Sequence, residues 1–268
     1  MTPAPVPARD LLPVPRVVAL ALWTAAYARG DAAPDDALDR ARGLGHRHVE
    51  HLGVDLFDWM TRVRGLPLVA LRPVLPVPGR IAGLAGPPPA VAAALAAEQA
   101  LVVSAASFAE QTLVPAVEVI GSEGAEGIVV RWSEFEAPHR ELPPVASASH
   151  ARPAFLAALR RAADSTVDLD LVPDEPIAEA YLPDDWTLTV APPGLDEGRV
   201  HLLRLAARTL LLTGAELDAL DDPLSPAASS AAPVRSLAED AARVALLRNL
   251  RDAAREAVVD VAGAAATV

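Results

Sequence analysis

The sequence predicts an α+β protein: N-terminal helices packed on a small mixed β-sheet, followed by a mainly helical C-terminal lobe. Three observations carry this. Helix-period apolar patterns with cap residues at their ends occupy both termini. Short runs rich in Val, Leu and Ile cluster between Leu66 and Phe135. The segment EAPHRELPPVASASHARP, residues 136–153, then breaks both patterns with Pro, Ser and charge, and reads as the boundary between lobes 1–145 and 146–268.

After a Pro-rich lead-in, Arg16 to Arg29 reads as a helix stopped by Gly30. Its uncharged run Val17–Ala28 is too short to span a membrane. Together with Arg9, Arg16 and Ala26-Tyr27-Ala28 it loosely mimics a signal peptide, but Asp10 and the long Pro-rich start favour a mature core helix. Pro34 opens a second helix, with Asp35, Asp36 and Asp39 suited to its amino-terminal dipole, running to about Leu52. Asp55 to Arg64 is a short third helix. Strands are predicted at Leu66–Val74, Ala100–Ser104, Thr112–Ile120 and Gly127–Phe135, about four in all. Pro88–Glu98 is a helix between the first two, and the glycines between Ile120 and Gly127 suit a hairpin. No basic residue falls between Arg80 and Arg131, as expected of a largely buried block.

Beyond the boundary, Ala154–Ala163 is a helix and Asp164–Asp185 an acidic stretch. Asp184–Val190 is a short strand candidate and Asp196–Leu212 an apolar helix. Thr213-Gly-Ala-Glu216 and Ser236-Leu-Ala-Glu239 both match a capping box, in which hydroxyl and carboxylate satisfy helix-terminal amides. The second opens a long helix to about Val261, with Leu247, Leu250, Ala254, Ala257 and Val261 on one face and Glu239 placed to pair with Arg243. Asp222–Pro233 reads as a mobile loop.

At 268 residues, with 52% apolar residues and mean hydropathy +0.27, the chain can bury a substantial core. Aromatics are only 4%, so Ala, Leu and Val must fill it. All 23 basic residues are Arg; Lys and Cys are absent, a pattern that GC-rich coding explains. Without Lys there is no Schiff base and no P-loop lysine; without Cys there is no thiol nucleophile, iron–sulfur cluster or thiolate zinc site. The net charge of −12 repels nucleic acid and anionic membrane.

The most patterned stretch is LPVPGRIAGLAGPPP, Leu75–Pro89. Its strand–glycine–helix order suits an anion loop, with Gly79, Arg80, Gly83 and Gly86 as candidate binding residues. The spacing is neither a Rossmann nor a P-loop fingerprint, and Pro87, Pro88 and Pro89 remove three amides. A structural turn is the favoured reading. The cluster Gly45–His51 offers His46, His48 and His51 as an alternative metal set, against a solvated helix end as the favoured reading. Asp164, Asp168, Asp170, Asp174 and Glu175 lack the spacing of a calcium loop and read as a solvated strand edge. Glu216, Asp218, Asp221 and Asp222 read as a capped helix start. Arg248, Arg251 and Arg255 form a helical stripe expected to pair with Asp252 and Glu256 on the same helix. No G-x-S-x-G elbow accompanies His139, His150 or His201.

The motif LPVPGRIAGLAGP, the Ala-rich helix ending at Glu98 and the Arg/Ala-rich last helix resemble a family of uncharacterised proteins from high-GC bacteria sharing an LPxPGxxxGLxGP-like motif, over residues 10–262. The resemblance implies a shared fold and transfers no catalytic residue. The expectation is a soluble, cytoplasmic, non-catalytic accessory or protein-interaction protein without cofactors, binding a protein partner or itself and neither nucleic acid nor membrane. The alternatives are an enzyme or small-ligand (anion) binder using the cleft between lobes, and a metal-binding protein at His46–His51.

Overall fold

The computed structural model describes residues 14–43, 49–81, 83–84, 86–106, 108–120, 127–137, 148–168, 191–221 and 237–267. In chain order the elements are α1 (Arg16–Arg29), α2 (Pro34–Arg42), β1 (Val49–Gly53), α3 (Leu56–Arg64), β2 (Ala70–Val74), α4 (Pro88–Ala97), β3 (Ala100–Ala105), β4 (Phe108–Ile120) and β5 (Gly127–Ala137). Three long helices follow: α5 (Ala148–Asp168), α6 (Glu197–Asp221) and α7 (Leu237–Ala265). The fold is α+β as the sequence predicts, with five strands in the order β1-β5-β4-β3-β2. The sheet is mixed: β1 runs parallel to β5 and every other pair is antiparallel.

Helix α1 is apolar on every side, and such a helix belongs in the middle of a core. Every residue from Arg16 to Tyr27 is buried. Gly30, at φ 81°, closes the helix in a left-handed turn, and the Asp31 amide reaches back to the Ala26 carbonyl at 2.8 Å. Around α1 lie α2, α3, α7 and the β2–β4 part of the sheet.

Alternation along the strands splits the sheet into two covered faces. Leu71, Leu101, Val103, Leu113, Val130 and Trp132 join the main core, which also takes in Phe155 of α5, Leu203 and Ala206 of α6, and Val258 and Val261 of α7. Val74, Val102 and Val114 on the other face meet Leu84, ahead of α4, and Ala94 of α4 in a smaller core. Past its last turn α7 closes the β2 edge, where the Leu71 amide donates to the Ala266 carbonyl at 3.0 Å.

Several local expectations are corrected. The second helix does not reach Leu52: Gly43, at φ 65°, ends it, and Val49–Gly53 forms β1, registered from Val49 opposite Ile128 to Gly53 opposite Trp132. Gly53 is required there, because a Cβ would lie 2.2 Å from the Trp132 carbonyl oxygen. Thr213 and Glu216 do not cap a helix. They lie inside α6, where the Thr213 hydroxyl donates to the Thr209 carbonyl at 2.7 Å and Glu216 holds Arg243 of α7. A threonine can satisfy itself on the preceding turn, so a cap-like spelling does not break a buried helix. Asp218 and Asp221 continue α6 rather than follow its start. Asp164 and Asp168 belong to α5, not to a strand edge, and α5 begins before Pro153. Asp170, Asp174, Glu175, the Asp184–Val190 strand candidate, Asp222, the Asp222–Pro233 loop, Ser236 and most of the 136–153 boundary lie outside the described residues.

Candidate ligand cleft

The described residues of the Leu75–Pro89 stretch form a clasp. The Val77 and Arg80 backbones exchange hydrogen bonds at 3.1 and 2.8 Å around Pro78-Gly79, with Gly79 at φ 82°. Arg80 projects to α7 and sits 3.0 Å from both Asp252 Oδ1 and Glu256 Oε1. Gly83, at φ 91°, turns its carbonyl to the Arg72 guanidinium at 2.9 Å. Gly86 presses on the start of α4, where an added Cβ would lie 3.1 Å from that of Ala90. Of the four anion-loop candidates, then, Arg80 is engaged by two carboxylates. At Gly83 the loop offers a buried cation an acceptor rather than amide donors.

Beneath the clasp the sheet carries a buried charged pair. Arg72 is 8% exposed and Glu110 fully buried. Burial depresses the Arg72 pKa, while the Glu110 carboxylate opposes that shift.

An opening of about 620 Å³ lies between the sheet and the C-terminal helices. That is ample for a small organic ligand. Its walls are apolar: Ala93 and Ala97 of α4, Val114 and Val117 of β4, Leu210 and Leu211 of α6. Its polar lining comes from distant parts of the chain, with Arg16, Glu98, Gln99, Asp218, Arg251 and Arg255 among it. Arg16, 1% exposed, donates to the Arg42 carbonyl at 2.8 Å, and Gln99 Oε1 accepts the Val17 amide of α1 at 3.3 Å.

Two arginines converge on Glu98. Arg251 Nη2 and Arg255 Nη2 lie 2.9 and 2.8 Å from the same oxygen, Oε2. The stripe therefore does not simply pair along its own helix: Arg255 meets Asp252 at 3.6 Å, while Asp252 and Glu256 reach out to Arg80. This face of α7 is turned to α4 and the clasp, which bring their own charges. Arg255 is nearly buried, and its pKa is lowered by burial first and by the Arg251 charge second, against the attraction of Glu98 and Asp252. The Arg251 Nε–H is buried and has no acceptor among the described residues. Glu98 itself holds an uncommon left-handed backbone, φ 51°, at the end of α4.

The histidine cluster resolves differently. His46 and His48 lie outside the described residues. His51 stands on a strand, so the helical spacing that would group it with His48 does not apply. Its Nδ1 accepts the Trp132 indole N–H at 3.0 Å and the two rings are stacked, 11° from parallel. Burial, reinforced by the Arg16 and Arg42 charges, lowers its pKa to about 4, so it is neutral at pH 7. Among the described residues no group of three or more His, Cys, Asp or Glu is placed to hold a metal ion.

Sequence reasoning missed Arg16, Gln99 and the role of Glu98. The available signal was a charge at the first turn of an otherwise apolar helix, which must find a partner if buried.

Fold and cleft together define an α+β protein with a ligand-sized opening between its sheet layer and its C-terminal helices. Residues 17–150, half of the chain, match the family model described as Rv1486c-like protein, N-terminal domain, and the chain belongs to that family. No curated protein and no solved structure matches it. Among the described residues no helix is long and apolar enough to cross a membrane.

Proposed function

We propose that this protein is a small-ligand binder, with its ligand in the cleft between the sheet and helices α6 and α7. The observation that carries the reading is the cleft itself: about 620 Å³, apolar walls, and polar side chains drawn from both halves of the chain. Convergent polar groups in one apolar concavity are the usual anatomy of a ligand site. The cations there are arginines, which hold charge at neutral pH and do not exchange protons, so they suit binding better than acid–base catalysis. The same reading takes Leu75–Pro87 as a structural signature of the family, a clasp fixing α4 against α7 through Arg80.

The test is isothermal titration of 1-octanol and octanoate into the wild type and into Ala93→Trp, which fills the α4 wall. The reading expects saturable binding of at least one probe at one site, lost in Ala93→Trp while the melting temperature stays within a few degrees. Binding that Ala93→Trp leaves intact places the site elsewhere and ends the reading.

A further inference from the structure

We propose that the cleft takes an anionic amphiphile whose single oxyanion head group, carboxylate or phosphate, replaces the Glu98 carboxylate on Arg251 and Arg255. This rests on the reading of the cleft as a ligand site and names its ligand class. The first ground is charge. Among the described residues the cleft is lined by three arginines, Arg16, Arg251 and Arg255, against two carboxylates, Glu98 and Asp218. That local excess of cations between apolar walls favours an anion there, although the net charge of −12 repels anions at long range.

The second ground is geometry. Two guanidinium groups already meet at one oxygen, at 2.9 and 2.8 Å, so an oxyanion seat is preformed and holds an internal carboxylate. Arg251 still has a buried Nε–H without an acceptor among the described residues, which a second oxygen on an incoming head group would satisfy.

The third ground is the cost of exchange. The Glu98 side chain is 53% exposed, so on leaving the arginines it returns to water rather than to an apolar interior. Arg255, 7% exposed at its side chain, would keep its longer 3.6 Å contact with Asp252 as Glu98 withdraws, and the ligand replaces the closer anion. Apolar burial along Val114, Val117 and Leu210 gives the ligand an advantage that Glu98 lacks.

The experiment compares octanoate, octyl phosphate, 1-octanol and octyltrimethylammonium by isothermal titration against wild type, Glu98→Gln and Arg251→Gln. Circular dichroism and a melt verify that each variant folds. The expected result is that at least one of the two anions binds the wild type about tenfold or more tighter than the alcohol, the scale of one charge-assisted hydrogen bond. Octanoate against octyl phosphate identifies the head group. Glu98→Gln should tighten the anion about tenfold by removing its competitor, and Arg251→Gln should weaken it similarly, with octanol unchanged in both. Anion and alcohol binding equally, or an unchanged or weakened anion in Glu98→Gln, overturns the exchange while leaving the cleft reading intact. Binding of none of the four overturns both. The wild-type comparison does not depend on any variant folding.

Discussion

Glu98, at the end of α4, and Arg255, on the last helix, meet at 2.8 Å although 157 positions separate them. The contact ties the sheet-bearing half of the chain to its C-terminal helices at the rim of the cleft. Arg80 repeats the device on the outside through Asp252 and Glu256. Both join α7 to the segment that carries Leu75–Glu98.

The glycines make a graded prediction. Gly53→Ala forces a Cβ to 2.2 Å from the Trp132 carbonyl oxygen in addition to φ 85°, so strand β1 must shift. Gly79→Ala meets open space and carries only the cost of its positive φ. Urea unfolding should find Gly79→Ala destabilised by about 1 kcal/mol and Gly53→Ala by about 3 kcal/mol or more. Equal losses would contradict the close approach.

Helices α6 and α7 are joined by Glu216 and Arg243, whose side chains are 12% and 22% exposed. Removing one partner of a largely desolvated pair costs more than removing both. Glu216→Gln should lose about 2 kcal/mol, and Glu216→Gln with Arg243→Met should recover part of that. A double-mutant cycle in urea measures it, and strictly additive losses would show that the two do not interact.

Two groups give opposite pH dependences. His51 titrates near 4 when folded against 6.5 unfolded, so the unfolded chain binds its proton first. Its contribution is complete above pH 6.5 and is lost as pH falls towards 4. Asp260, raised to about 6 by burial and by the Glu256 charge, has the other sign. The folded chain binds its proton first, so stability falls as pH rises from about 4 to 6. Urea midpoints between pH 4 and 8 should therefore show Asp260→Asn more stable than wild type at pH 7, by up to about 1 kcal/mol after allowance for solvent screening, with the gain gone by about pH 4. His51→Gln should flatten the loss of stability between pH 6.5 and 4. A gain for Asp260→Asn that persists at pH 4, or an unaltered acid limb in His51→Gln, would contradict these assignments.

Much of the fold was legible in the sequence because local rules agreed with it. Arg16–Arg29 has an apolar run and a glycine stop, Asp55 caps α3 with its carboxylate on the Asp58 amide at 2.9 Å, and β3–β5 carry runs rich in Val, Leu and Ile. Strand β1 was not legible, since His51 reads as polar, and only the fold half-buries it against Trp132 and beside Arg16 and Arg42, where it is neutral. Nor was the continuity of α6, where buried Thr213 bonds its own helix. The cleft escaped for a third reason. Its residues come from positions 14–16, 75, 93–99, 114–117, 133, 207–218 and 251–255, a juxtaposition that only long-range packing creates.

The central claim is that the cleft is a ligand site. Its most direct test is methyl NMR of selectively labelled protein titrated with octanoate. The methyls of Val114, Val117, Leu210 and Leu211, which line the cleft, should shift progressively and saturate together. Those of Val18, Leu101 and Val258, buried in the main core and away from the cleft lining, should stay in place. Saturating shifts confined to the first set are the predicted result; no shifts there, or shifts spread evenly through both sets, would contradict it.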